Sequence, residues 1–428
     1  MGKRRFAATI GYIAVVAILT DGPFDNIPRY LSNVRRSNVT NEECDGVPLS
    51  IPKLFDRRKQ QRKRYERATL AAAKHFNDFD DDLPKIQVLE KANYYVHRSG
   101  RNPQAVAWTD DKNYVQGPGW VTMDELEPPL LREPKVDRVL VGNYVAYTSW
   151  FEGNFGHYLD DHLPSIAYLR KELPLSIKFL LLDTKLSRSV LKFLDPYFYQ
   201  NRIEWIRLRE IVRVEGNLTV SIPVSIPLMH GRGRPHQYLR EWVNEQHPVV
   251  PEKRAIVFYS RSSVDTHHKR IVDRKHERQV VDTVRAAMTR YHRREELVVF
   301  DGSVFNRESR NYTTMSIAEQ FRIFRSAKTI IGPHGAGMLG NLVWVDPFPP
   351  TCHDRVQVLE FIPGPESEQV QAVYRSLFIR WRSWPVDFSV LLYSKESTHD
   401  KTFINLDNLN DALEGLWGKQ NELQVASA

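Results

Sequence analysis

Cysteine is nearly absent, with only Cys44 and Cys352 among 428 residues. That excludes a disulfide-built scaffold and a zinc site made from cysteines. No uncharged apolar run reaches the roughly 20 residues that cross a bilayer, which excludes a multi-span membrane protein. Internal repeats are missing too, and low complexity is confined to one basic run, so solenoids and collagen-like builds are out. What remains is ample: 42% hydrophobic and 26% charged residues rule out a mostly disordered chain. At roughly 150 residues per domain the length predicts two or three domains.

The formal net charge is +8 and the pI near 9.2, values that invite a nucleic-acid reading. The excess is local. Arg57 to Arg67 (RRKQQRKRYER) carries +6, and Lys3, Arg4 and Arg5 add +3. With both set aside from +8, the rest of the chain stands at −1. A nucleic-acid face spread over the folded body requires the opposite.

Phe6 to Thr20 is an uncharged, mostly apolar run behind that basic start. Its 15 residues suit either a short type II signal-anchor or a cleaved signal peptide. No A-x-A-like site follows, which favours the anchor and a Golgi or secretory-pathway lumen, with secretion after cleavage as the alternative. Sequons at Asn38, Asn217 and Asn311 fit a luminal glycoprotein.

The expected order is a basic tail (1–5), the anchor (6–20) and a stem with a basic helix (21–84). A first Rossmann-like lobe (85–245), a second one (246–395) and a C-terminal helix and tail (396–428) follow. In the first lobe KIQVLE, RVLVGNYVAY and IKFLLLD read as strands, SIAYLRKEL and RSVLKFLDPYF as helices. A Gly/Arg/Pro loop at 230–235 separates this from a second alternation. There, strands lie at 254–260, 297–300, 328–332 and 355–361, with helices around 279–291 and from Ser316. Ser316-x-x-Glu319 is a capping box, which fixes that helix start. Strands alternating with helices predict an α/β fold with parallel sheets, and two such units predict a cleft between them.

Three segments could carry chemistry. TIIGPHGAGMLG (329–340) reads as a strand, a small-residue turn and a helix starting near Met338. Amides there suit a phosphate, reached closely because Gly335, Ala336 and Gly337 have almost no side chain. Gly335-x-Gly337-x-x-Gly340, with Glu360 at the end of the next strand, also matches a dinucleotide fingerprint of an NAD-dependent oxidoreductase. Against that, the Asp346-Pro347 break comes too soon for a crossover helix, and His334 has no role in holding a nicotinamide pyrophosphate. The stretch NFGHYLDDHLP (154–164) clusters His157, Asp160, Asp161 and His162 at a helix start, with His157 and Asp161 four apart on one face. Metal ligands and ordinary N-terminal helix charges are both compatible with it. Tyr259-Ser260-Arg261 ends a buried-looking strand, where the Arg261 fork faces the crevice of a parallel sheet. A basic stretch continues to Arg270.

Taken in order, NFGHYLDDHLP, VFYSRSS with KRIVD, the SIAEQ-to-HGAG block and VQVLEFIP resemble glycosyltransferase family 61 from about Tyr144 to Phe361. The resemblance implies a GT-B fold of two Rossmann-like lobes, the N-terminal (85–245) on the acceptor side and the C-terminal (246–395) binding the nucleotide-sugar, with inverting transfer from a donor that is usually UDP-linked and no required metal or cofactor. It implies Ser260, Arg261, Arg270, His334, Gly335, Ala336 and Gly337 at the donor, with Glu360, matching the acid after the last core strand, near the ribose. Asp161 or His157 is then the base that takes the proton of an acceptor hydroxyl on a glycan or glycoprotein. Three features depart from the family pattern: Asp273-Arg274 replaces Asn-Glu, the Asn after HGAG comes one residue late, at Asn341, and the loop from Asp346 to Asp354 is longer than the family's Pro-Gly turn. Rivals are a catalytically silent nucleotide- or sugar-binding protein, the oxidoreductase, and a metal-dependent GT-A enzyme using Asp80-x-Asp82.

Overall fold

The run AIVFY, Ala255–Tyr259, is buried at every position, as in a parallel strand covered on both faces. It lies inside a seven-stranded sheet of a computed structural model. The structure describes residues 53–55, 85–99, 102–116, 120, 135–147, 155–222, 234–248, 252, 254–261, 274–306, 311–346, 355–363, 386–395 and 402–426. All of these fall within one compact unit, Val47–Ala428. The Phe6–Thr20 segment, the basic run, Asp80 to Asp82, Arg270, Asp273, Asn38 and both cysteines lie outside the described residues. Among the described residues no helix is long and apolar enough to cross a membrane.

The large sheet runs in the order Lys53–Phe55, Val386–Lys395, Val356–Pro363, Ala327–Pro333, Ala255–Tyr259, Glu296–Phe300, all parallel. The short strand Thr402–Phe403 pairs antiparallel with Val386–Lys395. Lys53–Phe55, inside the stretch read as stem, therefore forms an outer strand of this sheet. Val386–Lys395 follows Val356–Pro363, so the strand bearing Glu360 is not the last of the core, and Glu360 lies within it rather than after it.

Alternation places Ile256, Phe258, Ile331, Leu359 and Leu391 on one face of this sheet. They pack on Val280 and Val284 of the helix Arg274–Arg290 and on Leu409, Leu413 and Trp417 of the helix Leu406–Ala426. The other face carries Val257, Ile330, Val358 and Val390. These belong to a cluster that continues through Leu159, Leu163, Leu342 and Trp344 to Val145, Phe179 and Leu181.

Those last three residues sit in a five-stranded sheet in the order Lys85–Glu90, Asn217–Ile222, Tyr144–Ala146, Lys178–Leu182, Ile203–Ile206. It is parallel apart from the antiparallel edge Lys85–Glu90. Its second face packs through Tyr144, Leu180, Leu182 and Val220 on Tyr94, Val96, Ala105 and Val212 of a four-stranded sheet. That additional sheet includes the hairpin Asn93–Ser99 and Asn102–Trp108. The architecture is thus mixed α/β with parallel sheets, as the alternation predicts.

Local chemistry explains the breaks. RSVLKFLDPYF forms two helices, Lys185–Leu194 and Pro196–Asn201, because Asp195 caps the second, accepting from the Phe198 amide, and Pro196 sits at its first turn. The capping box at Ser316 is present as expected, with Ser316 and Glu319 reciprocally bonded. The helix expected over 279–291 starts earlier, at Arg274.

Candidate functional site

In the large sheet the chain leaves Ala255–Tyr259 toward Glu296–Phe300 on one side. It then returns to build Ala327–Pro333, Val356–Pro363 and Val386–Lys395 on the other. The order reverses between Ala255–Tyr259 and Ala327–Pro333. Crossovers on opposite sides open a crevice at the carboxyl ends of such a strand pair, which is where open parallel sheets bind ligands. Arg261 and His334 lie just past those two ends, and Glu360 is in register with Gly332 on the next strand.

The three side chains are linked. Arg261 Nη1 donates to the His334 carbonyl at 3.0 Å, and His334 Nδ1 lies 2.5 Å from Glu360 Oε1. The His334 amide donates to the Phe361 carbonyl at 2.8 Å, which ties the turn to the neighbouring strand. Behind Arg261 stands Glu277, in the first turn of Arg274–Arg290 and only 7% exposed. It accepts from the Ser260 hydroxyl at 2.6 Å and from the Arg261 amide at 3.3 Å. A buried carboxylate therefore fixes the loop from which Arg261 projects.

The glycines of the turn serve packing within the protein. A side chain on Gly335 would collide with the Arg261 guanidinium, and one on Gly337 with the Tyr259 ring and hydroxyl. One on Gly332 would meet Tyr259 backbone oxygen at 2.8 Å. Tyr259 is buried, and burial pushes its phenol up, opposed by the nearby Arg261 charge and a hydrogen bond with the Gly337 backbone. The helix expected near Met338 starts at Ala336 and spans only Ala336–Gly340 before a 3-10 turn, Asn341–Trp344. So few aligned peptides give little macrodipole, and among the described residues no crossover helix of the nicotinamide type is formed. Asn341, fully buried, clamps this piece by donating to the Gly337 carbonyl at 2.6 Å and to Gln320 Oε1 at 3.1 Å.

The 154–164 stretch is helical from Phe155, three residues ahead of the expected start, and contains an element the sequence does not announce. Phe155–His157 is α-helical, Tyr158–His162 is a π turn, and Leu163–Glu172 resumes the α-helix. The Leu163 amide reaches back to the Tyr158 carbonyl, the i to i+5 bond of a π turn. Adjacent aspartates then face different partners. Asp160 is buried against His236, whose Nε2 lies 3.0 Å from the Asp160 carbonyl oxygen. Asp161 Oδ2 lies 2.6 Å from His157 Nδ1, with the two side chains 16% and 37% exposed. His162 is fully buried between the Tyr147 and Tyr158 rings.

This segment and the glycine turn touch. An added Cβ on Gly340 would stand 3.0 Å from Gly156 Cα and 3.4 Å from Leu159 Cβ. Gly340 thus permits backbone contact between the Ala336–Gly340 helix and the turn that presents His157. The structure links Ser260, Arg261, His334, Gly335, Gly337 and Glu360 directly, and joins the His157–Asp161 pair to them through the Gly156–Gly340 contact. Sequence reading missed Tyr259 and Glu277. Glu277 had one signal, an acid in the first turn of a helix after a basic stretch, and only the fold shows what it holds. Among the described residues, no group of three or more His, Cys, Asp or Glu could hold a metal ion.

Residues 155–353 match a family model described as Glycosyltransferase 61. No curated protein and no solved structure matches the chain significantly.

Proposed function

Residues 155–353 belong to glycosyltransferase family 61, and from that premise we propose that the protein moves a sugar from a nucleotide-sugar, UDP-linked, to a hydroxyl of a glycan or glycoprotein. The observation that carries this reading is the topological reversal between Ala255–Tyr259 and Ala327–Pro333, with Arg261 and His334 at its mouth.

A diphosphate placed there gathers negative charge as the glycosidic bond breaks. The Arg261 fork and the His334 ring stabilise that charge, and Glu277 keeps the Arg261 loop from relaxing away from it. Ser260 is engaged with Glu277, so its part in donor binding is to hold the loop. The acceptor hydroxyl attacks the anomeric carbon from the opposite side and inverts it. His157, the more exposed partner of its pair, takes the hydroxyl proton at Nε2, while Asp161 orients the ring through Nδ1. Neither step requires a protein nucleophile or a metal. An N-terminal anchor at Phe6–Thr20 would place the site in the Golgi or secretory lumen.

The full chain incubated with a panel of nucleotide-sugars, with and without EDTA, tests this reading. Donor hydrolysis or transfer that survives chelation supports it. UDP binding without either reaction leaves a silent binding protein, and loss in EDTA assigns the diphosphate to a metal.

A further inference from the structure

Glu360 is wholly buried on the sheet face that carries Val358, Ile362 and Val390. Gly332 and Val390 are its register partners on the two neighbouring strands. A carboxylate in such surroundings is strongly disfavoured unless a cation or hydrogen-bond donors compensate it. Its Oε1 meets His334 Nδ1 at 2.5 Å, and its Oε2 has no hydrogen-bond partner among the described residues. His334 stands between this buried acid and the crevice, with its side chain 13% exposed against 0% for Glu360. A ribose hydroxyl at the crevice meets His334 before it meets Glu360.

We infer that Glu360 does not hold the ribose but is a positioning residue: it keeps His334 as an imidazolium whose Nε2–H is aimed at the departing diphosphate. The inference rests on the donor site proposed above. The charges around His334 are consistent with it. Arg261 meets the His334 carbonyl from the Ala255–Tyr259 side, with Tyr259 against the neighbouring Gly332 and Gly337, Glu277 behind Arg261 and Asp301 near Tyr259. Arg261 opposes a second positive charge beside it, and the buried Glu360 carboxylate offsets that repulsion. Nothing covalent happens at the ring. The proton stays on Nε2 and is shared with a phosphate oxygen as the sugar–oxygen bond breaks, so the leaving group departs hydrogen-bonded.

The test begins without substrate. The histidine rings of the full chain, labelled with ¹⁵N and assigned with His334→Gln, are followed by NMR against pH. His334 is expected to be protonated on both nitrogens at pH 7, and Glu360→Gln to weaken its proton affinity at least about tenfold, one pH unit. A neutral His334 ring in the unsubstituted protein at pH 7, or a titration unchanged in Glu360→Gln, overturns the inference. The first of these readings needs no variant to fold, and neither needs a known donor.

With a donor in hand, Glu360→Gln should lower kcat about 10- to 100-fold, change donor KM less than about threefold, and move the alkaline limb of the rate profile to lower pH. A ribose role predicts otherwise. Discrimination between UDP and 2′-deoxy-UDP would then collapse in Glu360→Gln, and that collapse overturns the assignment. If no nucleotide-sugar reacts while His334 titrates as stated, the transferase reading fails and the pairing survives.

Discussion

The His157–Asp161 and His334–Glu360 pairs have almost the same contact length, 2.6 and 2.5 Å, and both bond through Nδ1. They differ in their surroundings. The first pair stands on a π turn with its imidazole 37% exposed, whereas the second has its acid sealed in a sheet face. An accessible histidine can exchange a proton with an incoming hydroxyl and then with water. One whose partner is sealed away gives up its proton only by leaving a buried charge uncompensated. The same two residue types therefore suit opposite tasks, one passing a proton on and the other keeping it, and the layers around them set which.

The strongest way to break this comparison is His157→Ala. Transfer should fall about 10²–10⁴-fold while UDP binding, measured by calorimetry, stays within threefold. Transfer near the unsubstituted rate would end the base role for this pair. Asp161→Asn should cost less, because the ring remains, and donor affinity should again hold.

Gly340→Val tests whether the two pairs depend on their backbone contact. The new side chain must push Gly156 away, at about 1–3 kcal/mol of stability by thermal melting, and transfer should fall even where donor binding persists. Glu277→Gln sharpens the comparison from the donor side alone. It turns one of the two buried acceptor oxygens, which receive the Ser260 hydroxyl and the Arg261 amide, into a donor and removes the charge, so UDP affinity should weaken by about 1–3 kcal/mol without moving the pH limb that reports His157. The smallest effect is expected from His276→Phe. Stacking on Phe403 is kept, but the Ile404 amide loses its acceptor at His276 Nε2, a cost of about 1 kcal/mol in melting with both pairs untouched.

What was legible in the sequence was local. The capping box at Ser316, the buried strand at Ala255–Tyr259 and the glycine turn at 335–337 each write their signal within a few residues. The α/β class follows from the same periodicity. The placement of Lys53–Phe55 beside Val386–Lys395 did not, since three residues of strand carry no pattern and their partner lies more than 300 residues away. The glycines suggest space for a phosphate because a glycine announces room without saying who fills it. Here, Tyr259 and Arg261 fill it. Glu277 and Ser260 are 17 residues apart and meet only because a helix returns over its own strand. The π turn is invisible for a different reason: its composition is that of any amphipathic helix.

That turn makes this stretch sensitive to length. In an α-helix each residue turns the chain by about 100°. The five residues Tyr158–His162 carry one residue more than a regular turn holds. Dropping one of them would let the helix close into a regular coil and swing Phe155–His157 about a quarter-turn relative to Leu163–Glu172. Gly156 would lose its place opposite Gly340, with no side chain in the contact altered. Spacing here is as much a part of the site as chemistry, and relatives that keep every residue type but change the count should lose the alignment.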